Sequence, residues 1–130
     1  MARLLLIDDD DLFRPMLRTT LEQLGHTVTE ARNGKEGLDQ QARAPATLVL
    51  TDLIMPEKEG IETILELRQG WPDVKIIAMS GGGRMADADY LPIALQVGAH
   101  AVLHKPFTLD ELEAALQRVL AGGREGKDEL

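Results

Sequence analysis

Five short apolar runs, each followed by a segment of helical periodicity, constrain this chain more than any other feature. The runs cover residues 4–7, 28–31, 48–51, 76–79 and 101–103. Between and after them, apolar residues return at three- and four-residue spacing: Leu12, Met16, Leu17, Leu21 and Leu24; Ile61, Ile64 and Leu65; Leu109, Leu112, Leu116, Val119 and Leu120. Strands alternating with amphipathic helices predict an α/β fold built on an open parallel sheet. The stripes are expected to be core.

A chain of 130 residues fits one domain with a substantial core. Hydrophobic residues make up 44% but aromatics only 3%, so packing must be aliphatic. The net charge of −8 disfavours direct association with nucleic-acid backbones, whose binding depends on Lys and Arg neutralising phosphates. Without cysteine, disulfide frameworks, thiolate metal sites and thiol catalysis are all excluded, in keeping with a reducing cytosol. No run approaches the ~18 apolar residues of a membrane helix, and the opening segment is too short for a signal peptide. A cytoplasmic protein without membrane partners is the expectation. The closing Lys127-Asp128-Glu129-Leu130 spells a retention address that has no meaning without secretory entry, and reads as a polar tail.

Local signals place the element boundaries. Asn33 with Glu36 and Thr108 with Glu111 have capping-box spacing, and Gly25, Gly70 and Gly122 follow helical runs as C-caps. Pro15 lacks an amide proton and belongs in a first turn, so its helix is expected to begin near Asp11. Pro92 likewise sets a helix start near Tyr90 or Leu91, leaving 81–89 as a glycine-rich loop. The domain is expected to span 1–122, with 123–130 a polar C-terminal tail.

Right-handed crossovers put the carboxyl ends of all parallel strands on one rim, where such folds bind ligands. Asp8 and Asp9, Asp52, Ser80 and Lys105 each lie just past a strand and should meet there. Three carboxylates in one place suit a hard cation, and an ammonium beside them suits a phosphoryl group. Asp10 and Asp11 read more simply as a helix start, where acidic residues favour the positive end of the dipole. His26, His100 and His104 lack metal-ligand spacing and are expected in surface or partner roles. Trp71 is expected to pack on the third helix.

The ordered set Leu6-Ile7-Asp8-Asp9-Asp10, Thr51-Asp52-Leu53-Ile54-Met55-Pro56 with Gly60, Met79-Ser80 and Lys105-Pro106-Phe107 resembles the receiver domain of two-component response regulators, over nearly the whole chain. That resemblance implies a doubly wound five-stranded sheet of flavodoxin-like order 2-1-3-4-5 with about five helices. It makes Asp52 the phosphoacceptor, with Mg²⁺ (or Mn²⁺) on Asp8, Asp9, Asp52 and the backbone carbonyl of Ile54. Ser80 would bind a phosphoryl oxygen, and Lys105 would pair with the phosphoryl group or, before transfer, with Asp52. A cis peptide before Pro106 is also implied. The implied partners are a sensor histidine kinase or histidine phosphotransfer protein and a downstream protein, with a homodimer possible through the face formed by the fourth helix, fifth strand and fifth helix. The chain departs from the family at Val102, where receivers typically carry an aromatic switch residue, and at Gly81-Gly82-Gly83 after Ser80.

Two other classes compete. The opening Leu6-Ile7-Asp8-Asp9-Asp10-Asp11 also resembles haloacid-dehalogenase-like phosphatases, which would make Asp8 a nucleophile and Asp10 its acid–base partner. Lys105 is followed by a terminal helix, however, rather than by the further acidic strand such enzymes need. A docking module that never turns over phosphate is the third class, opposed by the complete set Asp8, Asp9, Asp52, Ser80 and Lys105.

Overall fold

Leu4 and Leu6 face one side of the central sheet and Leu5 and Ile7 the other, because side chains alternate along a strand. That two-sided burial is why the strands read as unbroken apolar runs. A computed structural model describes residues 2–53, 60–81 and 92–122. The elements are β1 (Arg3–Ile7), α1 (Phe13–Gln23), β2 (Thr27–Ala31), α2 (Gly34–Arg43), β3 (Leu48–Asp52), α3 (Gly60–Gly70), β4 (Lys75–Ser80), a helical stretch α4 over 92–97, β5 (Ala101–His104) and α5 (Leu109–Leu120). All strand pairs are parallel and the order is β2-β1-β3-β4-β5. The expected fold and strand order are thus both observed.

The core has two layers. Leu17 and Leu21 of α1 and Leu112, Leu116 and Val119 of α5 pack on the Leu4/Leu6 face. Ile64 and Leu67 of α3 and Ala94 of α4 pack on the Leu5/Ile7 face. Helix α2 also packs on that side, where a Cβ at Gly37 would stand 2.8 Å from Ile7 Cγ1 and would force the Ile7 side chain to shift. Among the described residues, no helix is long and apolar enough to cross a membrane.

The caps differ in quality. Thr108 and Glu111 form a complete capping box. Asn33 Oδ1 accepts the Glu36 N–H, but Glu36 Oε1 takes the N–H of Arg32, one residue earlier than a capping box requires. Gly25 and Gly122 end their helices with φ of 99° and 100°. Gly70 instead remains inside α3, and the left-handed turn that the sequence did not mark falls at Gly98, φ 133°.

The helical stripes are only partly core: Leu65 of α3 and Leu109 at the start of α5 are exposed, and α1 departs furthest. Leu17 and Leu21 are buried, whereas Leu12 is 81% and Met16 68% exposed. The helix starts at Phe13 rather than Asp11, which leaves Leu12 outside the stripe. The histidine reading is also corrected. His100 is buried, and its Nδ1 accepts the Ile76 N–H, while His26 Nδ1 accepts the Ala2 N–H. Both rings serve as backbone acceptors beside an outer strand. Trp71 packs, partly buried, against the layer containing α3. Residues 82–89 of the expected loop, the helix start near Leu91, the tail 123–130 and Ile54 lie outside the described residues.

Candidate functional site

Parallel pairing brings the strand ends to one rim: Ile7 is paired with Thr51, Asp52 with Met79 and Ser80 with His104. Each chemically active residue is therefore delivered at, or one or two residues past, a strand end. Asp8 is fully buried and its N–H donates to the Ala31 carbonyl. Asp9 is exposed, and Asp52 is 7% exposed. Carboxylate oxygens of Asp8, Asp9 and Asp52 lie within 4.8 Å of one another. The convergence expected at the rim is thus observed for these three carboxylates.

Lys105 enters the cluster from beyond β5. Its Nζ is 2.6 Å from Asp8 Oδ2 and 3.6 Å from Asp52 Oδ2, so Asp8 rather than Asp52 is the closer partner. The Lys105 N–H donates to the Ser80 carbonyl, and the Lys105–Pro106 peptide is cis. Ser80 is buried, with Oγ 3.5 Å from His104 Nδ1. Val102 is half-buried.

Burial pushes the Asp52 carboxyl up to about 7; the charges of Asp8 and Asp9 add to the rise, while Lys105 and the Leu53 N–H oppose it. The Leu53 N–H donates to Asp52 Oδ1, 3.1 Å, and the same N–H is 3.0 Å from the Met79 carbonyl. A Cβ at Gly60 would lie 2.6 Å from Leu53 Cα and closer still to the Asp52 carbonyl oxygen. Helix α3 can thus begin directly against the backbone that carries Asp52 only because residue 60 is glycine.

Asp10 and Asp11 serve the helix start. Asp10 Oδ1 accepts the N–H groups of Leu12 and Phe13, which hold its carboxyl below the usual carboxylate range. A group so held makes a poor general acid, which weighs against the phosphatase assignment of Asp10.

Two features escaped sequence reasoning. Arg14, only 8% exposed, donates to the Asp8 carbonyl at 2.8 Å, to Glu30 at 2.9 Å and to Asp11 at 2.9 Å, anchoring the acidic loop from behind. Phe13 lies with its ring centroid 4.4 Å from Lys105 Nζ and meets Phe107 edge-on, centroids 5.9 Å apart at 85°. Neither position carries a local signal, since an Arg or Phe in a first helical turn is ordinary.

The donor set consists of carboxylates without thiolate or imidazole, two of them buried beside a third at the surface. That chemistry fits a hard, oxygen-seeking ion such as Mg²⁺ and does not suit a soft one.

Residues 4–117 match the family model described as response regulator receiver domain. The chain is 38% identical over 120 residues to the KDP operon transcriptional regulatory protein KdpE of Escherichia coli, covering 92% of this chain and 52% of that protein. It is 34% identical over 125 residues to the response regulator receiver protein CpdR of Brucella abortus, covering 92% of this chain and 98% of that one. A solved response regulator receiver domain protein from Clostridium thermocellum has a TM-score of 0.85 at 28% identity, covering 93% of this chain and 95% of its own. The chain spans about half the length of KdpE and smaller shares, 12% and 24%, of two other relatives. Fold, motif order and these likenesses agree: the chain belongs to the receiver domains of two-component response regulators.

Proposed function

We propose that this chain is a phosphoacceptor switch, in which Asp52 takes a phosphoryl group from a phosphohistidine on a sensor histidine kinase or histidine phosphotransfer protein. An Asp52 carboxylate oxygen attacks phosphorus; the new P–O bond forms as the P–N bond breaks, and its electron pair leaves with the imidazole. Asp8, Asp9 and Asp52, with the Ile54 carbonyl, are the groups that would hold Mg²⁺; when bound, the ion supplies positive charge to the phosphoryl oxygens. Lys105, already between Asp8 and Asp52, needs only a small movement to pair with the incoming group. Ser80 supplies a hydroxyl to one phosphoryl oxygen from the next strand end.

The observation that carries this reading is a buried Asp52 inside a three-carboxylate cluster with an ammonium 3.6 Å away. A phosphoryl dianion would re-bias the α4–β5–α5 face through Ser80, whose hydroxyl, 3.5 Å from His104 Nδ1 on β5, would turn toward the new oxygen. The chain regulates rather than turning over an external substrate, and acts in the cytoplasm, as its relatives' class implies.

Incubation with Mg²⁺ and acetyl phosphate should add one phosphoryl mass to the protein, labile to hydroxylamine, and none to Asp52→Asn. An adduct that persists in Asp52→Asn and maps to Asp8 would transfer the assignment to the phosphatase class.

A further inference from the structure

Lys105 is surrounded on three sides, and only two of them are carboxylates. An ammonium carries three N–H donors and no acceptor. Asp8 and Asp52 cover two directions at 2.6 and 3.6 Å, and the Phe13 ring covers another, its centroid 4.4 Å from Nζ. Phe107 fixes the orientation of that ring by an edge-on contact at 85°. As filler for the core layer between α1 and α5, any large aliphatic residue would serve at position 13, and the chain has plenty, with aromatics only 3% of its residues. What an aliphatic cannot do is present a negative π-face to a cation.

We infer that Phe13 is a positioning residue for Lys105, its ring holding the ammonium between Asp8 and Asp52, within reach of a phosphoryl group. Without the ring the charge is drawn wholly to buried Asp8, its 2.6 Å partner, and is displaced from the acceptor. The inference rests on the reading of Asp52 as acceptor for its kinetic consequence, but not for the ground-state contact itself. Phe13 sits one turn into the chain from the aspartates it serves, so the first turn of α1 supplies both the acidic loop's anchor, Arg14, and the lysine's guide.

The test has two independent readouts on the full chain. In the unphosphorylated protein, NMR should find the Lys105 Cε protons displaced upfield by the ring current of Phe13. The displacement should vanish in Phe13→Leu and persist in Phe13→Tyr. With acetyl phosphate and Mg²⁺, uptake should slow about 3- to 10-fold in Phe13→Leu and return to within about 2-fold in Phe13→Tyr. A ring-fluorinated phenylalanine at position 13 keeps the size while draining the π-face. It should slow uptake like Phe13→Leu even if Phe13→Leu proves unstable. Native-rate uptake in the fluorinated protein, or undisplaced Lys105 protons in the parent, would overturn the inference. Failure of the parent to accept any phosphoryl group, with the ring-current signature present, would instead overturn the proposed function and leave the contact standing.

Discussion

Asp52 concentrates the physics of this molecule in one side chain. Burial and two neighbouring carboxylates raise its pKa from 3.8 to about 7, so between those values the folded protein binds more protons than the unfolded chain. Folding stability must then fall as pH rises through that window, by on the order of 4 kcal/mol in total. In chelator-containing buffer, Asp52→Asn should match the parent near pH 4 and be the more stable at pH 8, as read from urea midpoints at both pH values. A difference independent of pH would show that the carboxyl is not strained. Arg14 acts in the opposite sense. It pairs with Asp11 and with Glu30, which Arg18 also reaches, while bonding the Asp8 carbonyl, so Arg14→Met should cost about 1–3 kcal/mol, chiefly by leaving the buried Asp8 carbonyl without this donor. Asp8 and Asp52 were legible because each directly follows or ends an apolar run. Arg14 and Phe13 were not, because their importance comes from what the fold sets against them.

At the scale of elements, the start of α3 is the most constrained join. The Gly60 N–H donates to the Leu53 carbonyl at 2.9 Å, and residue 60 has no room for a Cβ against the Asp52–Leu53 backbone. Gly60→Ala should therefore cost about 2–4 kcal/mol in thermal or urea unfolding. Because the displaced backbone carries Asp52, phosphoryl uptake should slow as well. Full stability in Gly60→Ala would mean that α3 can slide without strain. Strand limits were readable to within one residue at each end, since a strand buried on both faces announces itself as a continuous apolar run. Helix α1 was less so. Its stripe counted Leu12 and Met16 as core, but periodicity gives a face and not its extent: Leu12 precedes the helix and Met16 lies on its exposed side.

The whole molecule is a three-layer scaffold, one parallel sheet between two layers of helices, whose rim gathers three carboxylates, a lysine and a serine. Mutual repulsion among the carboxylates couples the rim to global stability, so an ion bound only by the folded form must stabilise it. Mg²⁺ at about 100 times its dissociation constant should add about 2.7 kcal/mol to unfolding free energy, a gain largely abolished in Asp9→Asn. An equal gain in Asp9→Asn would place the ion elsewhere. The class of fold, the five strands and the list of residues due at the rim were legible in the amino-acid sequence, because strand burial and helical periodicity are local patterns whose alternation leaves a parallel sheet as the solution. How those residues pair depends on the packed molecule: Lys105 leans on Asp8 more than on Asp52, a phenylalanine roofs it, and two histidines, one buried and one partly so, accept backbone N–H groups beside the sheet's outer strands. Such pairings depend on distances of a few ångströms between side chains nearly a hundred residues apart, and no local pattern encodes a distance of that kind.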